Sequence, residues 1–164
     1  MARKVIVVGF DDSPSAAAAL RWAAEQARGT GATVRAVNVV EWPVDMMTWE
    51  MPMRGTVPYP QAPPPGIEEH KLALRQRFDE ANPEPDWRLD FIEGAVGPAL
   101  VHASAEAELL VVGTREHHGL GRLVHGSTSH HCISHASCPV VAVPAPSHPS
   151  DHPGNQLPPT EAPA

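Results

Sequence analysis

The sequence predicts a single α/β domain with a five-stranded parallel sheet and helices on both of its faces. Short runs rich in β-branched residues alternate strictly with segments in which apolar residues recur at helical spacing. The apolar content of 42% is carried mostly by Ala and Val, and aromatic residues make up only 5%. A chain of 164 residues is long enough for one domain with a buried core.

Local signals define the individual elements. The first strand covers residues 4–9, and Ser13 followed by Pro14 is typical of a helix start, with a capping hydroxyl and a proline at the first helical position. Gly29 and Gly31 are expected to end this helix. Further strands are predicted at 33–40, 87–91, 108–113 and 139–143, and further helices from Ile67 to before Pro83, from Pro98 to Ala105, and over 127–136.

Two proline-rich segments interrupt this pattern. Fourteen of the 19 prolines lie in an insertion at about residues 41–66 or from residue 144 onward. The tail, residues 147–164, has too little apolar content to offset its ordering entropy, so we expect a domain over residues 1–146 and a disordered tail. The apolar residues of the insertion either cover a site or contact a partner chain; they are Trp42, Met46, Met47, Trp49, Met51 and Met53.

Charge and composition exclude several functional classes. A net charge of −7 argues against nucleic-acid binding, because no basic surface would neutralise phosphates. The N-terminal apolar run, residues 5–8, is too short for a signal peptide or a membrane span, so a cytoplasmic location without a membrane partner is expected. The chain has neither a GxSxG motif nor a Walker A lysine, so no enzymatic activity and no catalytic residue are predicted.

Histidines and cysteines are the candidate metal ligands. Six of the ten histidines fall between residues 117 and 135, with Cys132 and Cys138 nearby. His131 and His135 would share one face of a helix. The chain lacks CxxC and HExxH spacings, so no metal is predicted and these histidines are interpreted as surface residues. A response of this segment to pH stays open.

The most informative segment is a glycine loop between a strand and a helix. An apolar run ends at Gly113, and the polar loop that follows closes at Gly126 and Ser127, where a helical pattern begins. Unpaired backbone N–H groups and the helix dipole favour an anion at such a helix start. Ligands of parallel sheets bind at the carboxyl ends of the strands. The sequence therefore predicts a site for a phosphorylated small molecule.

Several motifs in the chain resemble the universal stress protein family, over about residues 4–144. They are Val7-Val8-Gly9-Phe10-Asp11-Asp12-Ser13-Pro14-Ser15, then Glu93-Gly94, and Ser137-Cys138-Pro139-Val140-Val141-Ala142-Val143-Pro144. The family's nucleotide motif is Gly, two residues, Gly, nine residues, Gly, then Ser or Thr. Gly113 occupies its first position and Gly126-Ser127 its last, whereas Glu116 replaces the second glycine.

This resemblance implies a fold, an oligomeric state and a ligand. The fold would be a flavodoxin-like (adenine nucleotide alpha hydrolase-like) three-layer sandwich, with strands in flavodoxin-like order. The last strand, residues 139–143, would join two copies as a homodimer. Members with the full motif bind ATP, and members that lack it bind no nucleotide.

The resemblance also assigns roles to residues of this chain. Asp11 would contact the adenosine end, although a turn aspartate at the start of the first helix is the alternative. Val39 and Val40 would line the adenine pocket. The residues that would hold ribose and phosphates are Gly113, Gly126, Ser127, Thr128 and Ser129. Gly9, Phe10 and Val112 are further candidates for the site, and Arg115, which flanks the loop, either meets phosphate or is a surface arginine.

Glu116 separates two functional hypotheses. A carboxylate about 4 Å from a triphosphate costs on the order of a few kcal/mol, and a side chain removes the freedom of glycine to adopt a positive φ. Mg²⁺ bound with the phosphates would offset the charge, or Glu116 points to solvent. The first hypothesis is an ATP-binding regulatory module of the stress response that acts as a dimer. The alternative is a nucleotide-free dimeric interaction protein of the same fold.

Overall fold

The computed structural model describes residues 4–41, 65–114 and 126–146. Strands and helices alternate along these ranges as β1 (Val5–Gly9), α1 (Pro14–Thr30), β2 (Thr33–Val40), α2 (Ile67–Glu80), β3 (Arg88–Glu93), α3 (Val96–Ala103), β4 (Leu109–Thr114), α4 (Ser127–His135) and β5 (Val140–Pro144). The Trp and Met residues of the insertion and the tail from residue 147 lie outside the described ranges, so their predicted roles stay predictions. Within the ranges, no helix combines the length and apolar character needed to cross a bilayer.

All five strands are parallel and pair in the order β3-β2-β1-β4-β5. The predicted α/β class with a five-stranded parallel sheet is confirmed. The predicted flavodoxin-like order is wrong, because flavodoxin-type sheets run 2-1-3-4-5. Here the chain moves outward from β1 to β3 and then crosses back to place β4 beside β1. The order reverses between β1 and β4, and the helices that follow them, α1 and α4, lie on opposite faces of the sheet, which leaves a crevice at their carboxyl ends.

Helices cover both faces of the sheet and complete three layers. Helices α1 and α2 share one buried cluster with the face of the sheet that carries Val8 and Val111. Helices α3 and α4 share a second cluster with the opposite face, which carries Val7 and Val112. The side of α1 toward the sheet consists largely of buried alanines, whose small side chains let the helix lie close to β1, β4 and β5.

The bounds of two helices, α1 and α3, differ from the sequence prediction. Helix α1 continues through Gly29 and ends at Thr30, followed by Gly31 with a left-handed φ of 71°. Helix α3 begins at Val96, so Pro98 is its third residue rather than its first, and it ends at Ala103. A proline is tolerated there because the first N–H groups of a helix have no partner within the helix. The Ser13 cap is as predicted, since its hydroxyl accepts a hydrogen bond from the amide of Ala16.

Candidate functional site

A cleft of about 710 Å³ opens at the carboxyl edge of the sheet, where β1 and β4 end. The first turns of α1, α3 and α4 form its walls. Most of the residues assigned by resemblance line it: Gly9, Phe10, Asp11, Val39, Val112, Gly113, Gly126, Ser127, Thr128 and Ser129. Val40 is not among the lining residues. Arg115 and Glu116 lie outside the described residues, as do His117, His118, Arg122 and His125.

The start of α4 leaves its backbone amides without a side-chain cap. Gly126 is the N-cap residue, with an extended backbone, and it has no side chain that could accept a hydrogen bond from the first amides of the helix. The Ser129 hydroxyl donates instead to the carbonyl oxygen of Gly126 at 3.0 Å. Ser127 is exposed at the first helical position. Among the described residues, this helix start therefore presents N–H groups that the N-cap leaves unpaired, with the positive end of the helix dipole, to the cleft.

The start of α3 differs, because an acidic side chain occupies it. The Glu41 carboxylate accepts a hydrogen bond from the amide of Val96 at 3.3 Å. Both residues line the cleft, and Glu41 follows directly after β2. A carboxylate in this position satisfies the helix start and repels a second anion. By this electrostatic argument, an anion in the cleft would be favoured at the start of α4 over the start of α3.

Asp11 is both a turn residue and a cleft residue. Its Oδ1 accepts a hydrogen bond from the amide of Ser13 at 2.9 Å, which forms the turn between β1 and α1. The Ser13 hydroxyl caps α1 and lies 3.1 Å from the hydroxyl of Ser15. Asp11 is therefore a turn residue at the start of α1, which was the alternative to its predicted contact with the ligand. The same residue also lines the cleft.

Gly113 has a structural reason to be glycine that the sequence motif did not reveal. A Cβ atom built on it would lie 2.6 Å from the carbonyl carbon of Ser15 and 2.8 Å from the amide nitrogen of Ala16. Both neighbours are backbone atoms of α1, so they have no rotamer that relieves the contact. The absence of a side chain at Gly113 lets the first turn of α1 pack directly on β4.

Asn38 is a buried polar residue in the cleft wall that the sequence motifs did not single out. Its side chain is 4% exposed, and Nδ2 donates to the carbonyl oxygen of Phe10 at 2.9 Å. This bond links the end of β2 to the turn that carries Asp11. Among the described residues, Oδ1 has no hydrogen-bond partner. An asparagine inside an apolar strand was the available signal.

The thiols and histidines form no metal centre in the described part of the chain. There, no group of three or more His, Cys, Asp or Glu side chains is placed to hold a metal ion. Cys132 is fully buried, and burial, with a smaller contribution from Cys138, raises the pKa of its thiol to about 11. A protonated, buried thiol is a poor metal ligand and a poor nucleophile.

Comparison with known sequences identifies the relatives of this domain. The model of the Universal stress protein family matches residues 2–144. Universal stress protein Rv2623 of Mycobacterium tuberculosis is 33% identical over 152 residues, covering 84% of this chain and 46% of the relative. A universal stress protein of Mycolicibacterium smegmatis is 33% identical over 141 residues, covering 84% and 47%. This chain therefore spans about half the length of these curated relatives.

Solved structures share the fold at lower sequence identity. Universal stress protein UspA from Lactobacillus plantarum has a TM-score of 0.62 at 22% identity, covering 87% of this chain and 99% of that chain. A universal stress protein in complex with cAMP has a TM-score of 0.58 at 23% identity, covering 87% and 98%. One from Archaeoglobus fulgidus in complex with dAMP has a TM-score of 0.56 at 19% identity, with the same coverage. These neighbours have the predicted adenine nucleotide alpha hydrolase-like fold. Because the family model matches most of its length, the chain belongs to the universal stress protein family.

Proposed function

We propose that this protein is a regulatory module that binds an adenine nucleotide, with ATP as its occupant, and acts as a homodimer. The observation that carries the proposal is the uncapped start of α4 at the point where the strand order reverses. Two structural neighbours were solved with the adenine nucleotides cAMP and dAMP. No cleft residue is assigned a catalytic step.

The two ends of the cleft would hold different parts of the ligand. The phosphates would lie against the free amides of Gly126 and Ser127. The base would lie toward the end of β2, beside Val39. Glu41 favours this orientation, because its carboxylate already occupies the start of α3. Arg115 and a Mg²⁺ ion would contribute from the loop between β4 and α4.

Isothermal titration calorimetry with ATP and Mg²⁺ tests the proposal. Gly126→Val should abolish binding, because a branched side chain would occupy the position of the phosphate at the helix start. Gly29→Val is the matched control, since Gly29 lies near the end of α1 remote from the cleft, and a Cβ added there would meet no neighbouring atom within 4 Å. The proposal fails if the wild-type protein binds neither ATP nor AMP, or if Gly126→Val binds as well as Gly29→Val.

The homodimer would form through β5, at the edge of the sheet. In the described part of the chain, β5 pairs with β4 alone; Val140–Val143 are partly buried and Pro144 is exposed. Ile133 on the neighbouring α4 is 56% exposed. An apolar edge strand is prone to pair with another chain, and a two-fold symmetric contact would cover it.

Light scattering measures this association directly. The wild-type protein should be dimeric at tens of micromolar, whereas Ala142→Lys should be monomeric, because a charge on an edge strand opposes pairing. A monomeric wild type would contradict the homodimer. If the protein is dimeric but binds no nucleotide, the interaction-protein function becomes the better description.

A further inference from the structure

His131 lies in the cleft, although its sequence context indicated a surface histidine. It follows Ser127 by one helical turn on α4, and both residues line the cleft. Side chains four residues apart share one face of a helix, and each leans toward the helix N-terminus. The imidazole of His131 therefore lies on the side of α4 that carries Ser127 and leans toward the uncapped helix start.

The ring of His131 is held in place by the neighbouring helix. A Cβ atom on Gly97, in the first turn of α3, would lie 2.8 Å from both Cγ and Cδ2 of His131. No side chain fits between the two helices at this point. Because Gly97 has no side chain, the imidazole can lie close to the first turn of α3. Gly97 is itself buried.

The imidazole of His135 packs against that of His131. The rings of His131 and His135 stack with centroids 4.2 Å apart and an interplanar angle of 15°. His135 Nδ1 lies 3.0 Å from the carbonyl oxygen of His131. Together with Gly97, these contacts hold the ring of His131 between α3 and His135.

We propose that His131 contacts the nucleotide, donating a hydrogen bond from its imidazole to a phosphate oxygen bound at the start of α4, and that Gly97 is the positioning residue for this ring. The inference rests on the proposed function, because it assigns a ligand contact within the same cleft. A protonated imidazole forms a stronger, charge-assisted bond to phosphate than a neutral one. Nucleotide binding should therefore tighten as the pH falls.

The charged groups around the ring decide how this pH dependence is measured. Asp11 and Glu41 also line the cleft, and His135 stacks on the ring from the same helix. His102 lies exposed in the last turn of α3. Histidine is the side-chain type whose charge ordinarily responds to pH near neutrality. Separate variants of each histidine distinguish them.

The ligand must not titrate in the same range. A phosphomonoester has a second pKa of about 6, whereas the phosphodiester of cAMP keeps one negative charge throughout. Binding of cAMP is therefore measured by calorimetry between about pH 8 and pH 5.5. For the wild-type protein we expect roughly tenfold tighter binding at the acidic end.

Variants of single residues show which group causes the pH dependence of cAMP binding. His131→Gln keeps a donor but does not titrate, so its affinity should stay nearly constant with pH. Gly97→Ala should lose the pH dependence as well, because its Cβ displaces the ring. His102→Gln should keep it, whereas His135→Gln, which removes the stacking partner of the ring, should weaken it without abolishing it. An NMR titration of the wild-type protein adds a readout that needs no variant: cAMP should shift the ring resonances of His131 and leave those of His102 unchanged.

The outcomes separate the two proposals. If wild-type protein binds no cAMP, AMP or ATP at any pH, the proposed function fails. If cAMP binds but the pH dependence persists in His131→Gln, or disappears only in His135→Gln, the role of His131 is overturned while the nucleotide site stands. An unshifted His131 resonance in the cAMP complex also overturns it.

Discussion

Replacing Gly113 with alanine should destabilise the fold even without any ligand. The new Cβ would lie 2.6 Å from the carbonyl carbon of Ser15 and 2.8 Å from both the carbonyl oxygen of Ser15 and the amide nitrogen of Ala16. Non-bonded carbon atoms pack at about 3.5–4.0 Å. The first turn of α1 must therefore move away from β4 by about 1 Å.

The expected magnitude combines two effects. Overpacking a buried contact costs about 1–3 kcal/mol. The displaced turn also carries the Ser13 cap of α1, and disturbing such a cap costs typically ~1 kcal/mol. We expect Gly113→Ala to lower the free energy of unfolding by about 2–4 kcal/mol, with a Tm lower by roughly 4–15 °C. Urea denaturation followed by circular dichroism measures the first quantity and a thermal scan the second.

Gly126→Ala provides the matched control. Gly126 has an ordinary φ of −78°, and the nearest atom to an added Cβ is the Ser129 hydroxyl oxygen at 3.2 Å, the end of a side chain that can rotate. Its free energy of unfolding should stay within about 1 kcal/mol of the wild type. If Gly113→Ala is no less stable than Gly126→Ala, the packing argument for Gly113 is refuted.

Three further predictions concern a thiol, the motif loop and the tail. Burial raises the pKa of the Cys132 thiol from 9.0 to about 11, so the stability that the protonated thiol contributes is complete below pH 9.0 and is lost as the pH rises toward about 11. Between pH 9.0 and about 11, Cys132→Ala should therefore lose less stability than the wild type in urea denaturation. Glu116→Gly should tighten ATP binding by roughly 1–2 kcal/mol in calorimetry, and Glu116→Gln should do so only if charge is the cause; a folded Glu116→Gly protein without ATP binding would favour the interaction-protein function. Removing residues 147–164 should change the free energy of unfolding by less than about 1 kcal/mol, and a larger loss in denaturation would show that the tail packs on the domain.

The local sequence determined the elements and their type. Alternating strand and helix patterns predicted the α/β class, and Ser13 with Pro14 predicted the start of α1, because these signals act between residues that are neighbours in the chain. The glycine motif likewise placed Gly113, Gly126 and Ser127 at one edge of the sheet, since parallel strands present their carboxyl ends together.

The tertiary structure decided which distant residues meet. The order β3-β2-β1-β4-β5 depends on how the helices cross the sheet, which hydrophobic periodicity does not encode. Two close approaches join segments that are far apart in sequence: α1 packs on Gly113, and the ring of His131 packs against Gly97. Asn38 and Glu41 also contact distant segments in the cleft. Asn38 bonds to the turn after β1, and Glu41 bonds to the start of α3. Contacts of this kind are set by the closeness of two backbones in the folded molecule, and no local pattern of residue types specifies that distance.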